Sequence, residues 1–209
     1  PGGKLILNDD NHYLHHHVAA PLTTKVFRVS REHQGVPYML SDSLLFEEKE
    51  LMHINDIPVQ GEHNQMNAAL AVATVHQVLG EGFDVRKVSK ALQSFSGLPG
   101  RQELVQIVNG VKYINDTTST MPDALITALK SFQDESLVLI LGGNDKGLDY
   151  SFIHPISQKA QLKRVILTPG SAQAKLLKVF GEVEEVTSTQ EAFARATEIA
   201  EEGDVVLFS

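Results

Sequence analysis

Short apolar runs open the chain, separated by polar turn clusters. Lys4–Leu7, Val26–Val29 and Leu44–Phe46 read as strands, with Asn8-Asp9-Asp10-Asn11 as a turn after the first. Ile54–Val59 reads as a further strand in which Pro58 suits only an edge or an end. From His63 the spacing changes. Ala68, Ala71, Val72, Val75 and Leu79 recur at helical intervals, and Gly80 stops the run. Asp84 is placed to cap a second helix carrying Val85, Val88, Leu92 and Phe95 on one face. Gly97-Leu98-Pro99-Gly100 ends it. Two glycines and a proline in four residues mark a boundary, giving domains of 1–98 and 99–209.

Beyond that boundary strands and helices alternate. Glu103–Val108 and Val111–Asn115 flank Asn109-Gly110, a hairpin signal because both central residues of a type I′ turn need positive φ. Pro122 stands where a helix would start, with Leu125, Ala128, Leu129 and Phe132 buried. Leu137–Leu141 is a continuous apolar strand, followed by a helix near Phe152–Ala160, the strand Arg164–Thr168, a helix over Ser171–Val179 and a short strand Val183–Val186. Thr189 is expected to cap a helix burying Ala192, Phe193, Ala196 and Ile199, closed by Gly203, before the strand Val205–Phe208. Continuous apolar strands alternating with amphipathic helices predict an α/β fold with a parallel, doubly wound sheet.

The 209 residues are 42% hydrophobic and 21% charged, as in an ordinary globular protein. The net charge of -8 argues against a nucleic-acid backbone or an anionic membrane as the main partner, though a helix N-terminus or loop still suits a small anion. There is no cysteine, hence no disulfide and no thiolate chemistry. No apolar run approaches the roughly 20 residues of a membrane span, and a cytoplasmic location is expected. The chain opens on Pro1-Gly2-Gly3 and stops inside an apolar run, so a piece of a longer protein is expected.

Candidate chemistry lies mostly in loops after strands. In Tyr113–Ala124 an apolar strand ends in Asn115-Asp116, followed by Thr117, Thr118, Ser119 and Thr120. A carboxylate there can take two ribose hydroxyls, or it can close an Asx-turn into a Pro-started helix. Gly142-Gly143-Asn144-Asp145-Lys146-Gly147 follows the buried strand. It presents backbone N–H groups and a cation to a carboxylate or phosphate, or it is a turn with a solvated lysine. It is not a Walker A loop, an order absent from the whole chain. Asn64 and Asn67 share one face at the positive end of a helix, placed to read an adenine edge or to cap the helix. Arg101 is a solvated residue or a cation reaching a phosphate from a hinge. His12, His15, His16 and His17 cluster, but no Cys or carboxylate is spaced to join them, and a surface or packing role is expected.

Five of these segments, in order, resemble the Mur ligases. They are Asn8-Asp9-Asp10; Gly61-x-His63-Asn64-x-x-Asn67-Ala68-x-x-Ala71; Gly97-Leu98-Pro99-x-Arg101; Asn115-Asp116-Thr117-Thr118-Ser119-Thr120-x-Pro122-Asp123-Ala124; and Gly142-Gly143-x-Asp145-Lys146-Gly147. The threonine-rich loop favours the D-glutamate-adding branch. The resemblance implies the second half of a central ATPase domain, then a Rossmann-like C-terminal domain that brings in the amino acid. It implies ATP with Mg2+, the metal ligands and phosphate loop lying outside this chain, and a complete enzyme about twice as long. The implied reaction is amide formation through an acyl phosphate, between UDP-N-acetylmuramoyl-L-alanine and D-glutamate, in a monomer. Asn64 and Asn67 would read adenine, Asp116 the ribose, and Arg101 would reach the nucleotide between the domains as the catalytic cation. Thr118, Thr120 and Lys146 would meet D-glutamate. Gly100 departs from the family's common His, Thr118 from the Lys of some members, and Ser119 from a common Ala. A non-catalytic nucleotide-binding module and a sibling such as folylpolyglutamate synthase are the alternatives.

Overall fold

Apolar side chains close into separate cores on either side of Ser96–Gly97, and the chain divides there into two units. The computed structural model describes residues 3–17, 24–56 and 61–209.

The first unit holds a five-stranded sheet in sequential order. Strands β1 (Lys4–Asn8), β2 (Lys25–Ser30) and β3 (Tyr38–Leu40) run parallel; β3, β4 (Ser43–Phe46) and β5 (Lys49–His53) form an antiparallel meander. Helix α1 (His12–His17) follows β1, and α2 (Glu62–Leu79) and α3 (Val85–Gln93) end the unit. Tyr38 is fully buried, its hydroxyl 2.8 Å from both His76 Nδ1 and the donating Gln77 Nε2, so its polar end is satisfied inside the core.

One expectation fails here, and one helix, found where its spacing places it, buries a face that the spacing left open. Ile54–Asp56 is a 3-10 turn and the strand is Lys49–His53 before it; residues 57–59 lie outside the described residues. On α2 the buried positions are Met66, Ala69, Val72 and Ala73, whereas Ala71, Val75 and Leu79 are exposed. This helix is apolar on more than one side, so its periodicity alone does not choose the packed face. Asp84 does cap α3, accepting from the N–H groups of Arg86 and Lys87 at 3.0 and 3.3 Å. Val88 and Leu92 pack on the core while Val85 and Phe95 are exposed.

The second unit is a Rossmann-like α/β layer structure. Its strands are β6 (Glu103–Val108), β7 (Val111–Asn115), β8 (Leu137–Leu141), β9 (Leu162–Leu167), β10 (Glu184–Glu185) and β11 (Val205–Phe208), in the order β10-β9-β8-β11-β7-β6. All neighbours are parallel except β6, antiparallel to β7 through a turn with φ of 50° at Asn109 and 77° at Gly110. Helices α4 (Pro122–Ser131), α5 (His154–Ser157) and α6 (Gln173–Phe180) cover the face carrying Leu137, Leu139, Leu141, Val205 and Leu207. Helix α7 (Thr189–Ile199) covers the face carrying Val138, Ile140, Ile166 and Val206. Central strands covered on both sides have no polar face, which is why they read as unbroken apolar runs.

Smaller corrections concern ends. The helix expected over Phe152–Ala160 is a 3-10 turn, Ser151–Ile153, leading into one turn of α5. Ser188, not Thr189, caps α7, accepting from Glu191 N–H at 3.1 Å, while Glu191 accepts from Thr187. The Ser-x-x-Glu spacing decides between adjacent hydroxyls. Phe193 lies partly exposed against Phe208, ring centroids 5.3 Å apart.

Leu139 has no exposed surface, so Leu139→Ala should cost about 2–5 kcal/mol in urea unfolding, whereas Val105→Ala, 60% exposed on β6, should stay within about 0.5 kcal/mol.

Candidate functional site at the carboxyl edge of the second sheet

Strands β7, β11, β8 and β9 end on one edge, and the loops that leave them surround a cavity of about 250 Å³. Thr117, Ser119 and Thr120 contribute one wall, Gly142 to Asn144 with Lys146 another, and Ser209 lies between them. Leu125, Leu141, Leu176 and Tyr150 give it an apolar floor. Convergent polar groups over an apolar base at the carboxyl ends of parallel strands suit a small polar ligand.

The loop after β7 is built by a division of labour between two adjacent residues. Asn115 makes the turn: its Oδ1 accepts the N–H of Thr117 at 3.2 Å and its hydroxyl at 2.8 Å. Asn115 Nδ2 donates to Glu103, which also accepts Gly100 N–H at 2.8 Å, tying the 97–101 segment to this loop. Asp116 points inward and is only 6% exposed. Its Oδ1 accepts Gln102 N–H and its Oδ2 accepts the Ser209 hydroxyl, both at 3.1 Å. Burial holds its carboxyl above the ordinary Asp range, against the opposing pull of those donors, of Ser119 and of the Arg101 charge. The Asx-turn considered for Asp116 therefore belongs to Asn115.

The loop after β8 is pinned at Asp145. Lys175 of α6 pairs with its carboxylate at 2.8 Å and also donates to Leu148 O at 2.9 Å. Ser171 Oγ accepts Asp145 N–H, and Asp145 accepts Gly147 N–H, each at 2.9 Å. Lys175 holds Asp145 below the ordinary carboxylate range. Lys146, the next residue, is exposed at the cavity and has no ion pair among the described residues. Two further glycines let this loop meet the one after β9. A Cβ on Gly170 would fall 2.7 Å from Gly143 C and 2.8 Å from Gly143 N, closer than any real Cβ stands.

The expected residues therefore separate. Thr120 and Lys146 line the cavity, and Asp116 lies beneath its rim against Ser209. Thr118 does not line it: its hydroxyl and its N–H both donate to Gly100 O, at 2.7 and 3.0 Å. Arg101 is exposed, near enough to Asp116 for its charge to act there. Asn64 and Asn67 belong to the first two turns of α2 in the first unit; Gly61, not either Asn, is that helix's N-cap. Ser209, Ser171 and Lys175 were missed. Ser209 follows an apolar strand and could have been found by the strand-end rule; Ser171 and Lys175 act from 26 and 30 residues away, with no local signal.

The sequence profile described as "Mur ligase, glutamate ligase domain" matches residues 100–209. UDP-N-acetylmuramoylalanine--D-glutamate ligase of Aquifex aeolicus (strain VF5) is 35% identical over 176 residues, 82% of this chain and 41% of that protein. The enzyme of the same name from Chloroherpeton thalassium (strain ATCC 35110 / GB-78) is 35% identical over 226 residues, 98% of this chain and 47% of that protein. The chain thus spans about half the length of these relatives. Among solved structures, MurF ligase from Thermotoga maritima in complex with ADP aligns with a TM-score of 0.72 at 19% identity, over 98% of this chain and 49% of that one. A bifunctional folylpolyglutamate synthase/dihydrofolate synthase from Yersinia pestis CO92 gives 0.68 at 18% identity, over 90% and 44%. At these identities the structures speak to the fold.

Gly170→Ala should cost several kcal/mol in urea unfolding by forcing backbone apart, whereas Gly143→Ala, with φ of 112° and open space around it, should cost about 1–3 kcal/mol for its φ alone. Ionised Asp116 costs stability at neutral pH because its folded-state carboxyl binds a proton more tightly than the unfolded one. As pH falls through the folded value the proton goes on and that cost disappears. The protein should therefore gain stability relative to Asp116→Asn between neutral pH and about 4, measured by denaturant titration.

Proposed function

We infer a ligase function from one premise: the chain belongs to the Mur ligase family. The reading is that it forms part of an ATP-dependent ligase joining D-glutamate to UDP-N-acetylmuramoyl-L-alanine in peptidoglycan precursor synthesis. The observation that carries it is the cavity where Thr120 and Lys146, which has no ion pair among the described residues, stand together over an apolar floor. An ammonium and a hydroxyl facing one small cavity suit the side-chain carboxylate of an amino acid. Holding that carboxylate leaves the α-amine free to attack an acyl phosphate on the other substrate, with phosphate leaving. Positioning of this kind is the main contribution a protein makes to such a transfer.

The nucleotide roles are assigned on the same footing. Asp116 accepts from Gln102 N–H, the Ser209 hydroxyl and Ser119, and of the roughly four acceptor sites of a carboxylate one is left for a ribose hydroxyl. Exposed Arg101 is proposed to meet the phosphates, and Asn64 and Asn67 the adenine. Domains 1–98 and 99–209 are proposed as the later part of the ATPase domain and the amino-acid domain, in a cytoplasmic monomer. Among the described residues, the side chains that converge as an ion site would are Asp9, His15 and His33. Two imidazoles suit magnesium poorly, so its ligands are expected outside this chain.

The test is phosphate release by the full-length protein with ATP, Mg2+ and UDP-N-acetylmuramoyl-L-alanine, comparing D-glutamate with other amino acids. Release specific to D-glutamate is expected, and none with D-glutamate would sink the assignment. Lys146→Ala should raise KM for D-glutamate about 10- to 100-fold, the scale of a lost charged hydrogen bond, with a much smaller change for ATP. The reverse order would refute the role given to Lys146.

A further inference from the structure

The histidines near the start of the chain do acquire a carboxylate, from a contact that spacing along the chain does not reveal. Parallel pairing of β1 with β2 aligns Asn8 with Val29, and Asp9 N–H donates to Val29 O at 2.9 Å. The two strands thus deliver Asp9 and the Ser30–His33 turn to the same place. Each arm is fixed by its own bonds. Asp10 accepts Arg31 N–H at 2.9 Å, and Ser30 Oγ accepts His33 N–H at 2.7 Å. On the other side Asn11 caps α1, accepting Leu14 N–H at 3.0 Å, and His15 N–H donates to Asn11 O at 2.8 Å.

Three ligand atoms converge as a result. Asp9 Oδ2 lies 3.1 Å from His15 Nδ1 and 3.3 Å from His33 Nδ1, and one ligand atom from each of the three residues falls within 4.8 Å of the other two. The carboxylate is 2% exposed, and both ring nitrogens are sealed from solvent without a well-formed hydrogen bond. The imidazoles stack at 4.2 Å with planes 20° apart. Arg28 holds the other carboxylate oxygen, which turns Oδ2 toward the rings. One divalent ion between the three would take a lone pair from each ring.

We propose that Asp9, His15 and His33 form a binding site for a late first-row divalent cation of the Zn2+ class, separate from the ligase chemistry. Two imidazoles and one carboxylate are the ligand types that select such ions over Mg2+ or Ca2+. Bonds of 2.0–2.2 Å in a tetrahedron set ligand atoms about 3.3–3.6 Å apart; the two Asp9–His separations are 3.1 and 3.3 Å, and the two histidines, within 4.8 Å of one another, would draw together on the ion. Water would complete the shell. Arg28 acts on the ligand's far oxygen, as groups behind metal-binding carboxylates do. The ion would join the segment after β1 to the turn after β2, raising the stability of the first unit.

The 209-residue protein is stripped with chelator, checked by circular dichroism, and titrated with Co2+ and Zn2+ in the presence of millimolar Mg2+. Expected are a visible Co2+ absorption band that saturates at one equivalent, its displacement by Zn2+, and a melting temperature raised by several degrees with excess Zn2+. His15→Ala and His33→Ala, both at partly exposed positions, should each weaken Co2+ binding at least about tenfold and remove the thermal shift. The double variant His12→Ala/His16→Ala should leave both intact. No band and no thermal shift would overturn the proposal. So would binding that survives the loss of His15 or His33, or that disappears with His12 and His16 instead.

Discussion

Strand β8 has water on neither face, and that constraint organises the second unit. Leu137, Leu139 and Leu141 face one layer of helices, Val138 and Ile140 the other, and β11 beside it is enclosed in the same way. A strand buried on both sides cannot carry a polar side chain without stranding it from water. Polar chemistry must wait until the strand ends. Because these strands are parallel, their ends fall on one edge, and Asp116, Gly142 and Ser209 arrive there together from segments far apart in the chain.

Arrival at one edge does not by itself make a site, since the loops must also pack without filling the space they enclose. Glycine and charge divide that task. Gly170 lies so close against Gly143 that a single Cβ would separate the two loops, which fixes one wall from backbone alone. Asp145 and Lys175 then neutralise one another inside the loop, leaving Lys146 as the charge presented to the cavity. The opposite wall follows the same logic. Asn115 spends its amide on the turn and Asp116 turns inward, so Ser119 and Thr120 remain beside the opening.

What could be read from the sequence follows from the range of each interaction. The unbroken apolar runs at Leu137–Leu141 and Val205–Phe208, Asn109-Gly110 and Pro122 all act through neighbouring residues, and the structure carries each as read. Thr120 and Lys146 were legible for a related reason: each sits just after a strand, where geometry leaves room for a ligand. The failures share the opposite cause. Which side of α2 is buried depends on the sheet it meets, and its apolar positions allow more than one answer. Asp9 joins His15 and His33 only because β1 pairs with β2, and Lys175 reaches Asp145 only because α6 lies beside β8's exit. No local spacing encodes such contacts.

Two of the three departures from the family pattern that the sequence singles out, Gly100 and Thr118, are a single structural feature. Gly100 has φ of 74°, and a Cβ built on it would stand 2.8 Å from Thr118 Cγ2. Thr118 in turn spends both its hydroxyl and its N–H on the carbonyl of Gly100. A branched residue that caps this carbonyl leaves no space for a side chain at position 100, and a glycine there permits the close approach the cap requires. An unbranched side chain at 118 would lack the methyl that creates the clash, leaving only the cost of the positive φ against a side chain at position 100. Exchanging either residue alone would therefore break a matched pair. The absence of a longer side chain at 118 is thus a consequence of how this loop is anchored to the segment that carries Arg101.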